Sequence, residues 1–269
     1  MNVNAYIMSY LSSIHFDCPK TVPFPFDVPA VKFGKHLNVK SPIVIFVGDN
    51  GTGKSTLIET LAYRMQLPHM DGSTYAKSCF DAARTLLPYL EIEYKIMKTV
   101  GFFFRAEDFG EYINSVDRRD ASLHKSLEDL EGSVPNHIIK EMKDNANSQL
   151  YHMRKNYGQE LQSYSHGEAF LQIMQEKIKS KGIFILDEPE AALSPLKQLS
   201  LIYFIREHLT SNLSQFIIAT HSPILMSIPN AKIFEITHET LKETPLEDTE
   251  HFSITKSFLN HPELYLNSL

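Results

Sequence analysis

The stretch "GDNGTGKST", Gly48 to Thr56, constrains this chain more than any other. It follows the apolar run "IVIFV" and fits the phosphate-loop pattern G-x-x-x-x-G-K-[ST]. Gly48, Gly51 and Gly53 let backbone N–H groups close round phosphate oxygens where larger side chains would block the approach. Lys54 stands where it would reach the outer phosphates, and Ser55 where its hydroxyl would ligate Mg²⁺. The next helix would point its N-terminus at the anion. The candidate nucleotide-binding residues are therefore Asn50, Gly51, Thr52, Gly53, Lys54, Ser55 and Thr56. The loop names what is held, a nucleotide phosphate, and not what the energy does.

Such a loop needs a strand before it and a helix after it, and the rest of the chain supplies more of both. Ile43–Val47, Ile183–Leu186, Phe216–Ala219 and Lys232–Ile236 are short, nearly continuous apolar runs, as expected of parallel strands buried on both faces. Val100–Arg105 is a weaker fifth candidate. Between them lie helical patterns. "SPLKQLSLIYFIREHL" opens on a Ser-Pro start and carries Leu196, Leu199, Ile202, Tyr203 and Ile205 at helical spacing. "EAFLQIMQEKI" places Phe170, Ile173, Met174 and Ile178 on one side. The alternation predicts an α/β layer fold with a parallel-core sheet flanked by helices. Residues 14–40 are rich in Pro and Phe, which disfavours continuous helix and favours extended or edge strands, an N-terminal antiparallel β portion. Residues 106–165 are polar, mixed in charge and without a sustained heptad, and read as a helical insertion rather than a long coiled coil. We expect one domain over 1–269, with a helical lobe at about 106–180.

Composition excludes several classes. With 43% hydrophobic and 22% charged residues the chain has ordinary material for a core. A net charge of -6 gives no bulk attraction to nucleic acid. Cys18 and Cys79 stand alone, so neither a disulfide framework nor a C-x-x-C metal pair is expected. The histidines show no H-E-x-x-H spacing. No apolar run approaches the ~20 residues of a membrane helix, and "MNVNAYIMSYLSS" does not read as a secretory signal. The expected location is the cytoplasm.

Three further elements carry chemistry. "GIFILDEPEAAL" delivers Asp187 and Glu188 to the carboxyl end of a strand, where ligands bind in open α/β sheets. Asp187 is placed to hold Mg²⁺ and Glu188 to polarise a water attacking the γ-phosphate. Taken alone, an acidic solvated turn would explain the pair as well; after a phosphate loop the catalytic reading is preferred. "FIIATHSP" ends a third strand near His221, which could contact the γ-phosphate and orient the water. "SYSHGEAF" puts Ser165 and Gly167 at a helix start, an anion site in its own right. One chain does not need two phosphate sites for one nucleotide, but two copies head to tail do. By spacing alone, a simple helix cap fits equally.

The order of these motifs resembles the ABC-type ATPase superfamily. "GDNGTGKST" is similar to its Walker A, "YSHGE" to its signature, "IFILDEPE" to its Walker B with catalytic Glu, "AALS" to its D-loop, and "THSP" carries the switch His. The likeness runs from about residue 20 to 240. It departs at Tyr164, His166 and Glu168 of the signature, and at Ser194 of the D-loop, where Asp is usual. "FFFRAEDF" occupies the Q-loop region, with Glu107 as the substitute, and the adenine-stacking aromatic falls near Phe24 or Phe26. The S-x-G-E signature and "THSP" resemble the soluble branch, the SMC and RecF kinds and small stand-alone bacterial AAA-family ATPases, here without coiled-coil arms. The resemblance implies ATP and Mg²⁺ as cofactors and catalysis by Lys54, Glu188 and His221. It further implies metal binding by Ser55 and Asp187, and a homodimer on ATP binding completed by Ser165 and Gly167. An effector protein or nucleic acid is the implied partner. Two other readings stay open: the ATP-binding subunit of a transporter with a separate membrane partner, and a regulatory module of a nuclease or DNA-linked complex.

Overall fold

The computed structural model of the chain describes residues 9–19, 23–69, 80–96, 100–110, 112, 166–211 and 213–266. Most of the expected helical insertion, together with Ser165, Tyr164 and Cys79, lies outside them.

A six-stranded sheet forms the centre, in the order β5-β6-β7-β3-β8-β9. Its strands are β3 (Ile43–Gly48), β5 (Gly101–Arg105), β6 (Ile183–Asp187), β7 (Gln215–Ala219), β8 (Lys232–Ile236) and β9 (Leu241–Glu243). The first five are parallel, and β9 runs antiparallel at the edge. The weaker candidate of the sequence is thus a full member. β3 and β7 are buried along their whole length because the sheet is covered on both faces. Alternate residues of one strand face different cores: Val44 and Phe46 join one cluster, Ile43, Ile45 and Val47 the other. That division is why the runs are continuously apolar.

Helix α2 (Lys54–Arg64) covers the first face with Leu57, Ile58 and Leu61, alongside the short α1 (Pro29–Lys32) and α3 (Asp81–Leu86). A second sheet, β2-β1-β4, closes this layer: β1 (Leu11–Phe16) pairs antiparallel with β2 (Leu37–Asn38) and β4 (Leu90–Tyr94). The proline-rich segment therefore turns between β1 and β2 and contains one helical turn at Pro29, where a proline at the helix start loses no hydrogen bond. β4, "LEIEY", alternates in burial as a half-covered strand should, a pattern the longer apolar runs overshadowed.

The opposite face is covered by α4 (His166–Lys177), α5 (Pro195–Ser211) and α6 (Pro223–Met226). Phe170, Ile173, Met174 and Ile178 are buried, as their spacing predicted. For α5 the expected apolar set holds in part: Ile205 is buried and Ile202 packs against the core. Leu196, Leu199 and Tyr203 are 72%, 55% and 66% exposed, and the buried residues are Gln198, Leu201, Ile205 and His208. Two polar residues take core positions because each finds a partner. Gln198 donates to the Leu193 carbonyl (3.2 Å) and accepts from the Ser222 hydroxyl (2.5 Å), while His208 bonds Ser214 (3.0 Å). A hydrogen-bonded polar side chain loses little on burial, so periodicity of apolar residues alone finds only part of the buried face. The C-terminal helices α7 (Glu250–Asn260) and α8 (Glu263–Leu266) follow. No helix among the described residues is long and apolar enough to cross a membrane.

One side chain ties the two sheets. Gln215, at the start of β7 and fully buried, accepts from the Leu11 N–H (2.8 Å). It also donates to the carbonyls of Val39 (2.8 Å) and Ser41 (2.9 Å). Replacing it removes this partner from one donor and two acceptors, of which the Val39 carbonyl keeps the Ser41 N–H (2.7 Å). Gln215→Leu is expected to lower unfolding free energy by roughly 2–4 kcal/mol, read from urea denaturation; a loss within error of zero would show that the bridge does not hold the sheets.

Candidate functional site

The parallel strands end at one edge, and the loops that leave them make the site. β3 runs into the loop at Gly48, which has a φ of 152°, and the loop turns through Gly51 and Gly53 at φ values of 81° and 88°. The last two are left-handed and suit glycine. The two positions differ in their surroundings. A Cβ on Gly51 would meet nothing within 4 Å, so its face is open for a ligand. A Cβ on Gly53 would stand 2.8 Å from Val28 Cγ2, because α1 packs on the loop and the Ala30 N–H donates to the Thr52 carbonyl (2.9 Å). Gly53 caps α2 without any side-chain hydrogen bond. Asn50 is exposed at the tip, Thr52 is buried with its hydroxyl on the Asp49 carbonyl (2.8 Å), and Thr56 sits half-buried in the first turn of α2.

Lys54 is buried, and its ammonium donates to the carbonyls of Gly48 (2.8 Å) and Asp49 (3.1 Å). Burial pulls its pKa down, against the carboxylates of Glu188, Asp187, Asp49 and Glu190. Ser55 donates to Asp187 Oδ1 (3.3 Å), which joins the first turn of α2 to the end of β6. Asp187 is buried, and that burial raises its carboxyl to about 7, with the Ser55 hydrogen bond opposing. A hydroxyl and a buried carboxylate facing each other over the helix start suit a hard divalent cation such as Mg²⁺. The open glycine face beside them suits phosphate.

Glu188 follows at a φ of 48°, held by its N–H on the Ala219 carbonyl (2.9 Å). Its Oε1 is 3.5 Å from His221 Nε2. The His221 N–H donates to Glu190 Oε1 (2.6 Å), and its Nδ1 lies 3.1 Å from His251 Nε2. Burial, with Lys54 adding to it, lowers the His221 pKa and keeps the ring neutral. Burial raises Glu190 in turn.

The structure thus brings Lys54, Ser55, Asp187, Glu188 and His221 to one strand edge. Gly167 is elsewhere: a Cβ there would meet the Ala192 carbonyl (3.2 Å) and Lys197 Cγ (3.4 Å), on the turn that follows Glu188. Lys197 pairs with Glu168 (2.9 Å), fixing the start of α4 against α5. Glu107 is exposed and its carboxylate engages Arg105, which also pairs with Glu59 (3.2 Å). Burial raises Glu59 to about 8 despite that contact. Phe24 is exposed, and Phe26 packs edge-on to Tyr89. No cluster of three or more His, Cys, Asp or Glu suited to a metal occurs among the described residues. The sequence reading missed Glu190 and His251. Glu190 had a signal, the third acid of "DEPE"; His251, 30 residues beyond His221, had none.

Residues 82–227 match the family described as "AAA domain, putative AbiEii toxin, Type IV TA system". The match covers more than half of the chain, and the protein belongs to this family. It takes in Asp187, Glu188 and His221, and begins after the phosphate loop. No curated protein matches the chain. Among solved structures, the chain is similar to a nucleotide-free ATP-binding cassette from an ABC transporter, with 12% identity over 96% of this chain and 99% of that one, at a TM-score of 0.46. It is also similar to an Smc head domain from Pyrococcus furiosus bound to the C-terminal domain of ScpA, with 12% identity over 93% and 99%, at 0.44. A third is cbiO1 from Clostridium perfringens, part of the ABC transporter complex cbiONQ, with 18% identity over 97% and 100%, at 0.42.

The two loop glycines separate backbone strain from packing. Gly51→Ala is expected to cost about 1–2 kcal/mol, the left-handed penalty alone. Gly53→Ala should cost more, because Val28 must move as well. Paired thermal melts check the order, and equal losses would contradict it.

Proposed function

We propose that this protein is a soluble-branch ABC-type ATPase that binds Mg-ATP, closes head to tail with a second copy around the nucleotide, and passes the change to a partner. The observation that carries this is the Ser55–Asp187 contact beside Lys54, with Glu188 and His221 within reach on the neighbouring strand ends.

In this reading Lys54 leaves the loop carbonyls and places its charge on the outer phosphates of ATP. Ser55 and Asp187 hold Mg²⁺, which would neutralise phosphate charge. Glu188 polarises the attacking water, and His221 holds the terminal phosphate and the water in line. The half-exposed Glu188 has the freedom to meet water. Gly167, at the start of α4, lies against Ala192 and Lys197; in this reading that helix start, with Ser165 before it, caps the nucleotide of a second copy. Hydrolysis then releases the pair. The S-x-G-E signature and "THSP" favour a machine acting on a protein or nucleic-acid partner over a transporter subunit, and the span from Thr56 to Ser165 leaves room for a modest lobe and no coiled-coil arm. The cytoplasm is the proposed site of action.

Lys54→Ala should abolish ATP binding in a filter or calorimetric assay. Glu188→Gln should bind ATP, turn over at least about 100-fold more slowly, and elute as a dimer with ATP by light scattering. A monomeric Glu188→Gln protein at saturating ATP would rule out the head-to-tail pair.

A further inference from the structure

His221 is held by a histidine that belongs to a different part of the chain. His251 lies in the first turn of α7, and its Nε2 is 3.1 Å from His221 Nδ1, with the rings 5.2 Å apart. On its other side the same Nε2 is 3.7 Å from Asp49 Oδ1 of the phosphate loop. The turn is fixed from beneath. The Glu250 N–H donates to Glu235 Oε1 of β8 (2.8 Å), and the Thr249 hydroxyl to the Leu246 carbonyl (2.8 Å). α7 also lies against α6, the helix that follows His221 directly.

The geometry points to His251 as a positioning residue that sets the tautomer of His221 and so links the C-terminal helix to the phosphate site. This rests on the ATPase reading above. Only one of two facing ring nitrogens carries the hydrogen they share. Asp49 accepts and cannot donate, and it stands beside His251 Nε2, so the hydrogen belongs on His251. His221 Nδ1 is then the acceptor, and the hydrogen of His221 sits on Nε2. That nitrogen is buried, 3.5 Å from Glu188 Oε1, and has no hydrogen-bond partner among the described residues. A buried N–H without a partner is costly unless a ligand completes it. Here it is aimed at the place where Glu188 and the terminal phosphate would meet. The other tautomer would present a lone pair to that phosphate and repel it. His251 therefore fixes which face of His221 the nucleotide sees, without touching the nucleotide itself.

The test separates a hydrogen bond from packing. His251→Phe keeps a ring and removes the donor; His251→Gln returns an N–H close to the same place. We expect His251→Phe to lower kcat at least about tenfold with KM for ATP changed less than about twofold, and His251→Gln to recover to within about threefold of the parent. An unchanged kcat in His251→Phe, or a His251→Gln enzyme as slow as it, would overturn the assignment. Independently of activity, ¹⁵N spectra of the full chain should show the His221 ring with its hydrogen on Nε2, the signal being assigned by its loss in His221→Asn. A hydrogen on Nδ1 would overturn the proposal. Absence of ATP turnover in the parent protein would refute the ATPase reading alone, while the ring spectrum would still decide the role of His251.

Discussion

Everything at the site depends on the shared register of parallel strands. Phe46 and Asp187 both stand opposite Ala219, so β3, β6 and β7 finish at one level. Three loops then leave the same edge, carrying Gly48 to Ser55, Asp187 to Glu190, and Thr220 to Ser222. Parallel strands force this because their carboxyl ends necessarily point one way. A one-residue slip of β6 would turn Asp187 to the other face and part it from Ser55. The covering of both faces prevents such a slip: α2 and the β2-β1-β4 sheet hold one side, and α4 with α5 the other.

That burial also sets the electrostatics. Lys54 is out of water and surrounded by Asp49, Asp187, Glu188 and Glu190, yet burial still depresses it. The same burial raises Asp187 and Glu190. Each group is held in a state that a phosphate and a divalent cation would stabilise, since charge is costly there until it is matched. Binding a charged ligand at such a place gains its own strength from the low local dielectric. His221, neutral and with an unfilled Nε2, belongs to the same arrangement.

Much of this was legible in the sequence, for identifiable reasons. The phosphate loop, its strand and its helix follow from local rules: glycines where φ is positive and an apolar run before them. Asp187 and Glu188 sit where a buried strand ends. The face of α5 was only partly legible, because Gln198 and His208 are core residues only by virtue of Ser222, Leu193 and Ser214. Those partners lie on other segments, and no periodicity announces them. Glu107, the expected Q-loop substitute, has an exposed carboxylate that engages Arg105.

The sequence by itself determined the glycine loop with its strand and helix and the apolar runs of the parallel core, because each is encoded within a few consecutive residues. The tertiary structure alone decided which distant groups meet. Gln215 joins two sheets across more than 170 positions. Gly167 settles against Ala192 and Lys197, and His251 comes to His221 from a helix 30 residues further on. Such contacts are made by packing and satisfied hydrogen bonds between elements, and a side chain in one element carries no local trace of its partner in another.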